Sequence, residues 1–225
     1  MNNVGDFFAQ YGSLLAQGTW DSVLMTLGAT LFAYLLGIPI GVAVVVTDKD
    51  GLHPNPAVNM VLGWIVNIGR SIPFIILLVA IIPFTRLIVG TSLGIKGALV
   101  PLVIASAPFV GRMVEQSLKE VDPSLVEAAQ SFGASNWQII YKVLLKESLP
   151  SLIRGVAITC IAVFGYTAMA GTVGAGGLGD IAIRYGYQRY QTDIMIATII
   201  ISIVLVQLIQ SSGDFAARKL DKRNR

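Results

Sequence analysis

Gly174-Ala175-Gly176-Gly177-Leu178-Gly179 carries the G-x-G-x-x-G spacing with which a glycine-rich turn brings backbone N–H groups up to a pyrophosphate. That chemistry needs a strand before the turn and a helix after it in a βαβ unit. What precedes the turn here is an uncharged apolar stretch that reads as a membrane span, so a glycine-rich exit from a helix is the better reading. A G-x-x-x-x-G-K-[ST] loop for ATP phosphates is missing, because no glycine is directly followed by lysine. Catalytic and metal constellations are missing as well. His53, the one histidine, sits in a loop beside Pro54 with no second ligand in reach, and Cys160, the one cysteine, lies in an apolar segment and reads as helix packing. The first, fourth and fifth spans are uncharged over Ser22–Val46, Gly155–Gly174 and Ile194–Gly213 and offer no intramembrane carboxylate for a proton or sodium relay. The chain is therefore expected to be no enzyme and to hold no cofactor or metal. If it pumps, the energy comes from a partner.

The elements that position these residues follow from composition. With 54% hydrophobic and 13% charged residues among 225, the chain reads as all-α and polytopic in a membrane, in one domain. Five spans are expected, at about 22–46, 60–84, 95–118, 152–174 and 193–213. Residues 1–19 lack the basic start of a secretory signal. Val4, Phe7, Phe8, Tyr11, Leu14 and Leu15 recur there at helical spacing, which suits either a short helix on the membrane surface or a buried packing helix. Gly37 and Gly41 have the G-x-x-x-G spacing that lets helices approach closely, with Pro39 between them predicting a kink. Arg70 and Pro73 lie in the second block, Arg70 either at the inner surface or as a contact that switches between two states. The third block is expected to be interrupted at Pro101 and Pro108, and Arg112 with Glu115 ends it at a spacing that permits an ion pair.

The net charge of +3 does not point to nucleic acid, because the basic residues flank the apolar blocks. Of the 16 Lys and Arg, with Arg70 left unassigned, eleven fall in the segments that are inside if the N-terminus is outside, and four in the outer ones. That bias predicts a C-terminus on the cytoplasmic side.

The polar stretch 122–150, between the third and fourth spans, then lies in the cytoplasm. Asp122 suits an N-cap and Pro123 the first helical position. A helix to about Phe132 can end on a left-handed Gly133, and Ser135 with Gln138 has capping-box spacing for a second helix. The prediction is helix, glycine turn, helix, which by geometry alone could be an ordinary αα-hairpin. Glu127-Ala128-Ala129, Gly133 three residues on and Val143-Leu144-Leu145 nine further resemble the EAA loop of bacterial ABC-importer permeases. Lys146 stands where that family usually has proline, the next proline being Pro150. The resemblance implies a type I ABC importer permease fold, with cytoplasmic coupling helices in which Glu127, Ala128, Ala129, Gly133 and Ala134 dock on a separate ATPase.

Two further stretches resemble the methionine-import permeases: Arg70 to Gly94, with Arg70-Ser71-Ile72-Pro73-Phe74 at its start, and Gly165-Tyr166-Thr167-Ala168-Met169-Ala170-Gly171. This resemblance implies a homodimer in the bacterial inner membrane with two copies of an ABC ATPase that carries the ATP and Mg. It further implies an extracytoplasmic binding protein, usually a lipoprotein, that delivers methionine, L- and D-. Tyr166 and Met169 are candidates for the pathway or gate, with simple packing as the alternative for Met169. Another small amino acid or analogue as substrate is the nearer rival reading, and an ATP-independent channel or facilitator the distant one.

Overall fold

The computed structural model describes residues 4–220, so Lys222, Arg223 and Arg225 of the basic tail lie outside the described residues. Every regular element described is helical. In chain order these are α1 (Val4–Thr47), α2 (Pro56–Ser71), α3 (Phe74–Ala80), α4 (Ile82–Val89), α5 (Gly94–Lys119) and α6 (Pro123–Ser131). They continue with α7 (Asn136–Gln138), a π-helical segment (Ile139–Leu144), α8 (Leu145–Glu147) and α9 (Leu149–Gly171). The last are α10 (Gly177–Ile181), a second π-helical segment (Ala182–Tyr187) and α11 (Thr192–Leu220). α1, α5, α9 and α11 are long and apolar enough to cross a membrane, and α2 with α3 makes a fifth span if that broken pair counts as one.

One open reading is decided and two details differ from the expectations. The N-terminal stretch forms no separate surface helix: α1 is continuous through it, and Leu15 is buried against Ile181 and Ile194 with Phe7, Tyr11 and Leu14 around them. No proline occurs before Pro39, so nothing removes a backbone donor from the first nine turns or so. The block at 60–84 is broken. Ile72 is extended (φ −83°, ψ 121°) because the ring of a following proline disfavours helix at the preceding residue, and Pro73 (φ −57°, ψ 130°) then caps α3. The third block is uninterrupted, α5 running through both Pro101 and Pro108. A proline costs a membrane helix one hydrogen bond, and packing can absorb the local widening. Pro108 lies against Gly69, where an added Cβ would meet its ring carbons at 2.5 and 2.9 Å.

The chain divides into two compact units. The first comprises residues up to Leu31, Pro73–Ile104 and Cys160–Ile209. Its buried residues include Met25, Ala29, Leu102, Val163 and Leu178. Tyr11 and Gln191, at the starts of α1 and α11, are hydrogen-bonded at 3.2 Å. The glycine cluster belongs to this unit. Gly174, Gly176 and Gly177 have φ of +90°, +83° and +81°. They reverse the chain after α9 so that the Leu178 N–H donates to Ser22 Oγ at 2.9 Å. A helix, not a strand, precedes the cluster, so its glycines serve the chain reversal.

The second unit comprises Phe32–Ile72, Ala105–Thr159 and the residues from Gln210. Its core joins Ala33 of α1 and Val110, Val114 and Leu118 of α5 to Ile139, Ile140, Leu144 and Leu152. Here the G-x-x-x-G spacing is used. A Cβ on Gly41 would lie 2.6 Å from the Gly111 carbonyl oxygen and from Val114, so α1 and α5 touch backbone to backbone. Overpacking such a contact costs about 1–3 kcal/mol. Gly41→Val is accordingly expected to lower the thermal unfolding midpoint of the detergent-solubilised protein by several degrees, whereas Gly63→Val, at a position with open space around it, should shift it little.

Candidate functional site: an exposed helical hairpin

The hairpin at 122–147 is built by local rules. Asp122 caps α6 by accepting the Ser124 N–H at 2.9 Å, with Pro123 in the first turn. At its end Gly133 is left-handed (φ +76°), its N–H donates to the Gln130 carbonyl at 2.9 Å, and that of Ala134 donates to the Ala129 carbonyl at 3.0 Å. This is the Schellman arrangement, which satisfies carbonyls that a helix end would otherwise orphan. Ser135 then caps α7. Its Oγ accepts the Gln138 N–H at 3.4 Å, while Gln138 Oε1 accepts the Ser135 N–H at 2.9 Å, closing the capping box that the spacing predicts.

Packing gives the hairpin two faces. Val126, Ala129, Ala134, Val143 and Leu145 rest against the core of the second unit. Glu127, Ala128 and Gly133 are exposed. The five residues singled out from the sequence thus share one hairpin, but Ala129 and Ala134 face inward and set its seat. The outward face carries side chains that the motif does not mention. Phe132, Trp137 and Tyr141 are 93%, 76% and 73% exposed, and Leu125 is exposed beside them. Large aromatics in an otherwise polar loop, out of phase with the buried Ile139, Ile140 and Leu144, are the signal that could have found them. Leaving such rings in water forgoes a large burial gain, and rings of this kind mark surfaces awaiting a partner. Lys146 takes the place of the proline without ending the chain's helical course. α8 covers it, the course breaks only at Ser148, whose hydroxyl donates to the Leu144 carbonyl at 2.7 Å, and Pro150 sits in the first turn of α9.

A charged lattice braces the base of the hairpin. Arg112 and Glu115 pair at 2.6 Å as their spacing predicts, Lys119 reaches Glu115 at 3.1 Å, and the same ammonium bonds Asp48 at 2.8 Å. Glu115 is only 5% exposed, and two cations compensate its desolvation. Asp48 belongs to the turn after α1, so the chain ends of α1 and α5 are pinned together. The hydrogen bond from Lys119 holds the Asp48 carboxyl below its ordinary 3.8, helped by the Lys49 N–H.

The remaining candidates lie elsewhere. Tyr166 stacks on the buried Phe74, ring centroids 4.7 Å apart and planes 15° from parallel, whereas Met169 is exposed on α9. Arg70 ends α2 with its guanidinium 5.9 Å above the Phe109 ring, and Pro73 offers its carbonyl to the N–H groups of Ile76 and Leu77. These contacts give Tyr166 and Arg70 packing partners within their respective units and do not bring either of them to the hairpin.

Two measurements follow. Gly133 has open space around it, so the cost of a side chain there is its left-handed backbone, about 1–2 kcal/mol. Gly133→Val should increase proteolytic nicking of the hairpin and Gly133→Asn, which tolerates that conformation, much less. The lowered Asp48 pKa means a stabilising contribution present above the unfolded value of 3.8 and lost as pH falls through the lower folded value. Unfolding midpoints of the protein and of Asp48→Asn should differ at neutral pH and converge in acid below that range.

The sequence model of the family described as "Binding-protein-dependent transport system inner membrane component" matches residues 33–225. The chain is 52% identical over 222 residues to the probable D-methionine transport system permease protein MetI of Vibrio cholerae, which covers 99% of both chains. It is 48% identical over 177 residues to the methionine import system permease protein MetP of Bacillus subtilis, covering 79% of this chain and 80% of that one. Its fold is similar to a chain in an inward-facing structure of the MetNI methionine ABC transporter, with a TM-score of 0.93, 45% identity and 94% and 98% of the two chains covered. The family model's match over residues 33–225, with relatives alike along nearly the whole length, makes this chain a member of the family of binding-protein-dependent transport system inner membrane components.

Proposed function

We propose that this chain is the membrane-spanning permease subunit of an ATP-driven importer of methionine. It works as a homodimer with two copies of a separate ABC ATPase, and an extracytoplasmic binding protein delivers the amino acid. The observation that carries this reading is likeness along nearly the full length to permeases of methionine transport systems, in sequence and in fold. The ATP and its Mg belong to the ATPase. This chain contributes the path and the lever.

The lever is the hairpin. A partner groove that takes Phe132, Trp137 and Tyr141 buries rings that are now wet, and Glu127 beside them adds a charge that can fix register. Ala129 and Ala134 seat the hairpin on Val114, Leu118 and Ile139, so a displacement imposed on it is passed to α5 and α9 as movement of packed side chains. Binding of ATP closes the ATPase pair and draws the two hairpins of the homodimer together, which favours the outward-open state. Hydrolysis restores the inward-open one. The loaded binding protein and ATP must both bind the outward state better than the inward one, since a ligand shifts an equilibrium only by its differential affinity.

Several placements follow from the same reading. The N-terminus lies outside and the C-terminus in the cytoplasm. Arg70 marks the inner surface, with Pro73 opening the deeper part of the second span. Met169, exposed on α9 among Gly165, Ala168 and Ala170, lines the path near the two-fold axis, and Tyr166 backs it.

The test is uptake of radiolabelled L- and D-methionine into proteoliposomes that contain this chain, its ATPase and its binding protein. ATP-dependent uptake that vanishes without the binding protein is expected. ATP hydrolysis stimulated by the binding protein without methionine uptake would move the substrate to another amino acid, and failure to associate with any ATPase would overturn the reading. Trp137→Ala and Phe132→Ala should each weaken co-purification of the ATPase, by on the order of 30-fold in affinity for an anchor worth about 2 kcal/mol, while leaving the fold of the permease intact.

A further inference from the structure

The first unit holds a groove of about 680 Å³ that the hairpin mechanism does not use. It lies where α1 and α11 begin, lined on one side by Phe7 and Tyr11 and on the other by Tyr190, Gln191 and Asp193, and it continues along α11 past Ile196 and Ile200.

Four features of the groove are left incomplete by the chain itself. Gln191 donates to Tyr11 Oη at 3.2 Å, but its buried Oε1 has no hydrogen-bond donor among the described residues. An acceptor in that condition carries an uncompensated desolvation cost, which a donor reaching it from the groove would relieve. Asp193 is exposed and has no cation within ion-pair distance among the described residues. Tyr190 is held in the left-handed region (φ +56°), unusual for a tyrosine, and keeps its ring 87% exposed at the groove. Ile196 and Ile200, one turn apart, are half exposed on a helix apolar enough to face lipid.

A free carboxylate, an unsatisfied acceptor and aromatic faces together select a cationic ligand that can donate hydrogen bonds. The isoleucine stripe selects one with an apolar tail. We infer that the groove binds a zwitterionic phospholipid with a primary-amine headgroup. Its ammonium sits against the Asp193 carboxylate and the rings of Tyr11 and Tyr190, with Gln191 turning its sealed Oε1 toward it, and one acyl chain follows Ile196 and Ile200 down α11. A purely anionic headgroup would place its charge against Asp193 and the unsatisfied acceptor. A loop of a soluble protein would satisfy the polar end and leave the isoleucine stripe uncovered.

The test uses the full-length chain, delipidated in detergent and titrated with phosphatidylethanolamine or phosphatidylglycerol, with retained lipid counted by native mass spectrometry. Phosphatidylethanolamine should be retained about fivefold better, and Asp193→Asn should lose about two- to fivefold of that retention without changing phosphatidylglycerol. Tyr190→Asn removes the ring while suiting the left-handed backbone, and should lose a similar factor. It also carries the test if Asp193→Asn fails to fold. Equal retention of the two lipids, or retention of phosphatidylethanolamine unchanged in both variants, would overturn the site. Loss of stimulation by the binding protein with lipid retention unchanged would assign the groove to a protein and overturn it as well. Lipid retention is read without ATP or methionine, so this outcome is separate from that of the transport assay.

Discussion

Inside hydrocarbon every backbone N–H and C=O must find its partner within the protein, and most of this structure follows from that requirement. α1, α5, α9 and α11 meet it by running as uninterrupted helices of 23 residues or more. Where the chain departs from a helix it does so with residues that lower the cost. Ile72 and Pro73 open a gap in which proline has no donor to leave unpaired, and the left-handed glycines after α9 let Leu178 reach the Ser22 hydroxyl. Proline inside α5 is affordable because the helix is packed tightly enough to hold its course.

The same requirement accounts for the proposed docking surface being a hairpin outside the apolar spans. A short helix such as α6, of nine residues, is marginal alone and depends on caps and on a seat. Asp122, the Schellman turn at Gly133 and the Ser135 capping box supply the caps, and Ala129 and Ala134 supply the seat. With the backbone satisfied locally, the outward side chains are free of structural duty. Phe132, Trp137 and Tyr141 can then be selected for a partner, and their exposure is tolerable only if one exists.

Charge is confined to the places where it can be solvated or paired. Glu115 is buried, yet it lies between Arg112 and Lys119, and Lys119 carries the link on to Asp48. The lattice joins the ends of α1 and α5, and both helices contribute to the core on which the hairpin packs, so the hairpin is mounted on two helices and not on a loose loop. A rigid mount is what the proposed lever needs, because a compliant one would absorb the displacement it is meant to pass on.

Local chemistry was legible without coordinates: the caps of the hairpin, the glycine turn, the Arg112–Glu115 pair and the apolar blocks all rest on residues near one another in sequence. The span 22–46 lies inside α1 and the span 95–118 inside α5, but the boundaries at Ile72 and at the N-terminus did not follow from hydropathy. Hydropathy measures apolarity averaged over a window. It cannot tell a broken helix from an intact one, or a stripe that meets lipid from one that meets Ile181 and Ile194. Tertiary structure alone decided which residues of the hairpin face inward, because α6 and the segment after α7 are packed by contacts distant in sequence. It alone also brought Tyr11 to Gln191 and Asp48 to Lys119, pairings whose partners are separated by most or much of the chain and carry no periodic signal.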